Sequence, residues 1–211
     1  MADDAVDFAS MMCSRLCHDL LSPVGAFGNG LELLADEQDP EMQKRCIELL
    51  EASSRTAINR LKYFRLSFGS AGGYGETIAA ADIREAVMGL VPEGRQVDLN
   101  WIGDDAPVPK PAARLLLLLG MVIVDALVRG GRIDMAMESR ADMLELAVRG
   151  AGDRVVIDAA SEAMFADDSN AIAPKTVPIA LARRLARDGG GDVMLSRPSD
   201  KELVVGAIIR P

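Results

Sequence analysis

The chain of 211 residues contains one histidine, His18, and the groups around it define most of the chemistry the sequence can support. With a single imidazole, a zinc site built on two or more histidines is excluded, and a Ser-His-Asp triad would have to recruit His18 itself. No Gly-x-Ser-x-Gly nucleophile elbow occurs. Cys13 and Cys17 precede the histidine and Cys46 is the third thiol. Zinc needs three or four converging ligands, and on a helix His18 stands about 100° around from Cys17, with only Cys46 left to join them. The cysteines therefore read as core or boundary thiols and no metal site is expected. Asp19 is the adjacent acid, able to orient the ring, to take its proton, or simply to be solvated. Gly150-Ala151-Gly152 is a weak phosphate-loop signal, and Asp153 after it reads better as a hairpin turn.

These residues lie on a long helix. From Ala5 to Leu34 the apolar residues Phe8, Met12, Leu16, Leu20, Val24, Phe27, Leu31 and Leu34 recur at steps of three and four, the period of one helical stripe. His18 is two residues from both Leu16 and Leu20, so it projects about 160° to 200° from that stripe, toward solvent. Pro23 lacks the N–H that would bond the carbonyl of Asp19, which predicts a kink just past the histidine. At offsets of three, four and seven, the face of His18 carries Ser14, Arg15, Leu21, Ser22, Gly25 and Asn29, small or polar enough for a partner to approach. Gly25, Gly28 and Gly30 weaken a helix interior unless another backbone comes close.

Asp39-Pro40-Glu41 supplies an N-cap, a first-turn proline and a first-turn acid for a second helix. Its stripe is Met42, Cys46, Leu49, Ser53, Ala57, Leu61, Phe64 and Phe68. Two helices of roughly thirty residues joined by a short polar segment make an antiparallel hairpin, and pairing with a second copy into a four-helix bundle would cover both stripes. A homodimer is expected. Gly69 to Gly75, with four glycines, reads as a flexible linker, dividing a hairpin domain, 1–69, from a second domain, 76–211. In the latter, Ala80–Val91, Pro111–Val128 and Pro178–Arg187 read as helices. Gln96–Trp101, Arg132–Glu138, Met143–Arg149, Arg154–Asp158, Asp192–Ser196 and Glu202–Ile209 read as strands. The order suggests an α/β sandwich with a mixed sheet under a few helices, and an α+β chain as a whole.

Composition narrows the partners. With 23 basic and 32 acidic side chains the formal charge is −9, and without a basic run the footprint for nucleic acid or an anionic membrane is missing. The longest apolar run, Leu115 to Val124, is about half of the roughly 20 residues that span a bilayer. An acidic N-terminus without a signal sequence and an odd number of cysteines fit the cytoplasm and free thiols.

The segment His18-Asp19-Leu20-Leu21-Ser22-Pro23 has a histidine, an acid one residue on and a proline five residues on. It closely resembles the phosphoacceptor motif of two-component histidine kinases. An imidazole suits that role, because its neutral form near pH 7 has a nitrogen lone pair that can attack phosphorus. Ser22 stands where such kinases place Thr or Asn to position a hydrolytic water. The second half resembles their ATP-binding domain in order and length, but its ATP motifs fail. Met121 and Asp125 occupy the two positions that hold Asn for phosphate and magnesium. Val148-Arg149-Gly150-Ala151-Gly152 lacks the acid of the adenine-contacting loop, and Val177-Pro178-Ile179-Ala180-Leu181 replaces the second glycine-rich box.

A phosphoacceptor hairpin joined to a degenerate kinase-ATPase-like α/β sandwich resembles the ChpT-type histidine phosphotransferases. The likeness is specific in Leu16 to Ala26 and Asn29 to Leu34 and diffuse afterwards. It implies a dimeric cytoplasmic intermediary that takes phosphate from the receiver aspartate of a hybrid histidine kinase and passes it to response-regulator receivers through His18. It further implies that no cofactor is bound by this chain and that Mg2+ belongs to the partner's receiver domain. The rival readings are a divergent ATP-dependent sensor kinase and a dimeric scaffold that is never phosphorylated. From the lost motifs, ATP with magnesium is expected neither to bind at micromolar concentration nor to label the protein, which calorimetric titration and incubation with radiolabelled ATP will check.

Overall fold

The structure is a computed structural model, and it describes residues 2–69, 76–167 and 171–210. The first helix, α1, covers Ala2–Asp36 and runs past Pro23 as one element; the second, α2, covers Pro40–Ser67. Between them the Glu37 carboxylate accepts the N–H groups of Gln38 and Asp39, and Asp39 caps α2 by accepting the N–H of Glu41 at 3.0 Å. These bonds satisfy donors that a helix start leaves unpaired, and they fix the reversal of the chain. The two helices pack along each other. At Gly30 an added Cβ would come within 2.9 Å of the Leu50 side chain, so the close approach there is by α2, whereas Gly25 and Gly28 face open space.

The remaining elements are β1 (Thr77–Ile78), α3 (Ala80–Met88), β2 (Val97–Ile102), β3 (Val108–Pro109), α4 (Lys110–Ala126), β4 (Gly131–Arg140), β5 (Met143–Ala151), α5 (Ala159–Ala166), α6 (Val177–Asp188), β6 (Asp192–Ser199) and β7 (Glu202–Ile209). Five strands form one sheet in the order β2-β4-β5-β7-β6, parallel between β2 and β4 and antiparallel elsewhere. Strands β1 and β3 pair separately. Helix α4 is apolar on every side, the pattern of a helix buried all round: the residues from Leu115 through Val124 are all buried. It lies on the sheet, with Gly150 of β5 close enough that a Cβ would meet Ile123 at 2.7 Å. No helix among the described residues is long and apolar enough to cross a membrane.

Two features differ from the sequence reading. Arg154–Asp158 is not a strand; Val155 makes an isolated bridge to Leu127, and Asp158 caps α5 through the N–H of Ser161. Helix α5 and the two short strands have too few residues to show a period. Outside Gly69, the glycine-rich linker lies outside the described residues.

The hairpin stripes are also divided between two neighbours. Phe8 is buried with the Arg184 guanidinium 3.9 Å over its ring, and Met12, Leu16 and Leu20 pack against the main core, while Val24, Phe27 and Leu31 stay exposed. On α2, Tyr63, Phe64 and Leu66 join the same core as α4. Tyr63 is fully buried and donates its hydroxyl to the carbonyl of Leu117, and Arg114 donates to the Ser67 carbonyl at 3.1 Å. Hairpin and sandwich are thus fastened by packing and by hydrogen bonds that cross between them. Tyr63→Phe removes one such bond without changing the ring, and is expected to lower stability by about 1 kcal/mol in urea unfolding.

Candidate functional site

His18 lies midway along α1 with its side chain 84% exposed. Its neighbour Asp19 points the other way and is only 8% exposed. A buried carboxylate is costly unless paired, and this one meets cations from two helices. Arg15 donates Nε to Oδ2 at 2.8 Å from one turn earlier on α1, and Arg60 of α2 brings a guanidinium nitrogen to 3.6 Å from the same oxygen. Both cations lie on Oδ2, which leaves Oδ1 for His18, whose Nδ1 is 3.1 Å away. A carboxylate only accepts, so this contact assigns the ring proton to Nδ1 and leaves the lone pair on Nε2 of an exposed ring.

Arg15 extends the cluster into the sandwich. Its second nitrogen reaches Oδ2 of Asp125, in the last turn of α4, at 3.2 Å. Burial alone would lower the Arg15 pKa, but Asp125 and Asp19 outweigh it and raise the value, so the guanidinium stays charged. The cleft is completed by Ala173, Pro174 and Lys175, which precede α6. Lys175 donates to Asp158 at 3.0 Å. Partial burial opposes the charged form of Asp158, yet hydrogen bonds from Lys175 and Ser161 prevail and bring its carboxyl to about 2.

Of the face expected to meet a partner, Ser14, Leu21, Ser22 and Asn29 are exposed, and nothing lies within 4 Å of a Cβ added at Gly25. Arg15 departs from that face: its side chain is 11% exposed and turned inward, because two carboxylates hold it. Asp19 is buried, and its Oδ1 lies within hydrogen-bond distance of Nδ1 of His18. Arg60 was not foreseen, since nothing local connects it to His18; only the antiparallel return of α2 brings it there. Cys46 is buried while Cys13 and Cys17 are exposed, and among the described residues no three His, Cys, Asp or Glu side chains are placed to hold a metal ion.

The space between α4 and α6 is closely packed. Met121 and Val122 of α4, Ile157, and Pro178 and Ile179 of α6 surround a void of about 40 Å³, far below the several hundred of an ordinary ligand pocket. Gly150 and Gly152 are accounted for by close packing on Ile123 and on the carbonyl of Gly130.

Comparison with known proteins places these features in context. Residues 80–201 match the family model of the histidine phosphotransferase C-terminal domain. Over 134 residues the chain is 34% identical to protein phosphotransferase ChpT of Brucella abortus (strain 2308), covering 64% of this chain and 62% of that protein, less than two thirds of its length. A solved bacterial phosphotransferase superposes with a TM-score of 0.81 at 25% identity, covering 96% of each chain.

The charge cluster makes a stability prediction. Asp19→Ala leaves two guanidinium groups facing each other without their shared anion, and should cost about 3 kcal/mol. His18→Ala removes an exposed ring and should change stability by less than about 0.5 kcal/mol. Denaturant unfolding followed by circular dichroism compares the two.

Proposed function

The chain belongs to the histidine phosphotransferase family, and from that premise we propose that it is a phosphorelay intermediary in the cytoplasm. In this reading His18 takes a phosphoryl group from the receiver aspartate of a hybrid histidine kinase and delivers it to response-regulator receivers. The observation that carries the reading is the pairing of an exposed imidazole with a buried carboxylate on Nδ1. The Nε2 lone pair attacks phosphorus, an N–P bond forms, and the P–O bond to the donor's carboxylate breaks. The ring becomes cationic and keeps its proton on Nδ1, where Asp19 stabilises the new charge. When an acceptor aspartate attacks, the N–P bond breaks and the electron pair returns to Nε2. Asp19 keeps the same hydrogen bond throughout, so it serves both directions.

Magnesium is assigned to the partner's receiver domain, and this chain binds no cofactor in the proposal. The packed space beside Met121 and Ile179 supports that division of labour. A homodimer is proposed on the exposed apolar side chains of the hairpin. Val6, Val24 and Leu31 on α1 and Ile47, Ile58 and Leu61 on α2 are each 47% exposed or more, and exposed apolar side chains in such number mark association. The receiver is proposed to dock over Ser14, Leu21, Ser22, Gly25 and Asn29, next to the phosphoacceptor.

Incubation with a radiolabelled, phosphorylated receiver tests the proposal. The chain should acquire acid-labile label, His18→Ala should acquire none, and Gly25→Arg should slow transfer at least about tenfold by holding the reacting atoms apart. Gly25 has room for a side chain, so that variant should fold and keep its oligomeric state. A wild-type chain that takes no label from any phosphorylated receiver would sink the reading.

A further inference from the structure

Asp125 is the one acid among the described residues of α4, and it stands at the helix's C-terminal end. The helix dipole disfavours a negative charge there, and the ten preceding residues, Leu115 to Val124, are apolar or glycine. A carboxylate in that position gains from a cationic partner, and Arg15 meets it across the gap between α4 and α1. Arg15 is bound at both ends, with Nε on Asp19 and the terminal nitrogen on Asp125. A planar guanidinium held at two edges has its orientation fixed, which a single contact would not achieve. Its position decides where Oδ2 of Asp19 sits, and that in turn decides how Oδ1 meets Nδ1 of His18.

We infer that Asp125 is a positioning residue for phosphoryl transfer, acting through Arg15 and Asp19 to hold the His18 ring with its proton on Nδ1 and its lone pair on Nε2. The inference rests on the phosphotransfer reading above and assigns the sandwich a part in the chemistry of the hairpin. Asp125 touches neither the imidazole nor the phosphoryl group. It is half-exposed and outside the close-packed core, so its removal leaves the fold intact. Without it, the terminal nitrogens of Arg15 lose their anchor and the Asp19 carboxylate keeps one firm contact fewer. The ring is then free to populate the other tautomer, in which Nε2 carries the proton and cannot attack.

The chain has a single histidine, so the imidazole nitrogen signals in an NMR spectrum of ¹⁵N-histidine-labelled protein belong to His18 alone. At a pH where the ring is neutral, the wild-type full-length protein should show Nδ1 protonated. Asp125→Ala should shift the population toward protonated Nε2 and slow transfer from a phosphorylated receiver about tenfold at saturating receiver. Receiver affinity should be unchanged, and Asp125→Glu should restore both signal and rate. Unchanged tautomer and rate in Asp125→Ala would overturn the inference while leaving phosphotransfer standing. A rate loss that comes only from weaker receiver binding, with the tautomer unchanged, would also overturn it, making Asp125 a docking contact. Absence of label on the wild-type chain would refute phosphotransfer and the inference together.

Discussion

A buried carboxylate on the surface of a helical hairpin is the constraint around which the site is organised. Asp19 cannot lose its water without being paired, and the partners it finds come from its own helix and from α2. The second helix must therefore return at a fixed register, with Arg60 opposite Asp19. Arg15, needed for the same carboxylate, carries a spare edge that the acid at the end of α4 takes up. One desolvated oxygen pair thus ties α1 to α2 and, through Arg15, to α4, and the exposed imidazole is oriented within that arrangement.

The interior of the second domain imposes a complementary constraint. Helix α4 is apolar on all sides and fills the layer between sheet and hairpin. Its side chains and those of α6 pack closely, and the remaining void between them is about one or two waters in size. Opening that region would expose Met121 and Ile179 and would separate α4 from α6.

Much of this was legible in the sequence where the signal is local. The helix period places His18 on the exposed face, Asp39-Pro40 marks the start of α2, and the motif from His18 to Pro23 points to phosphoryl chemistry. The order of the sheet elements followed from alternation and turn residues. What escaped was set by tertiary packing. Phe8 and Phe64 read as stripe residues of a dimer, yet they are covered by the sandwich of the same chain. Arg15 read as part of an open face because its helical angle says nothing about a carboxylate arriving from α4. Arg60 and Asp125 are far from His18 in sequence, and no periodicity could join them. Val155 belonged to a pattern that looks like a strand but is used for a single bridge before the cap of α5.

The way hairpin and sandwich are fastened bears on the direction from which phosphate arrives. An enzyme that phosphorylates its own histidine from a bound nucleotide must bring the nucleotide to the imidazole, so its two parts have to move relative to each other. A histidine that receives phosphate from an external donor has the opposite requirement. It gains from a ring held in one tautomer, on a support that stays put while partners come and go. Here the contacts between the two parts are of several independent kinds: Phe8 under Arg184, the Tyr63 hydroxyl on Leu117, Arg114 on Ser67, and Arg15 on Asp125. Separating the parts would break all of them at once and would bare the aromatic side chains of α2. The second domain therefore supplies one wall of the cleft beside His18, and a wall fastened in several independent ways is what the proposed chemistry of His18 requires of it.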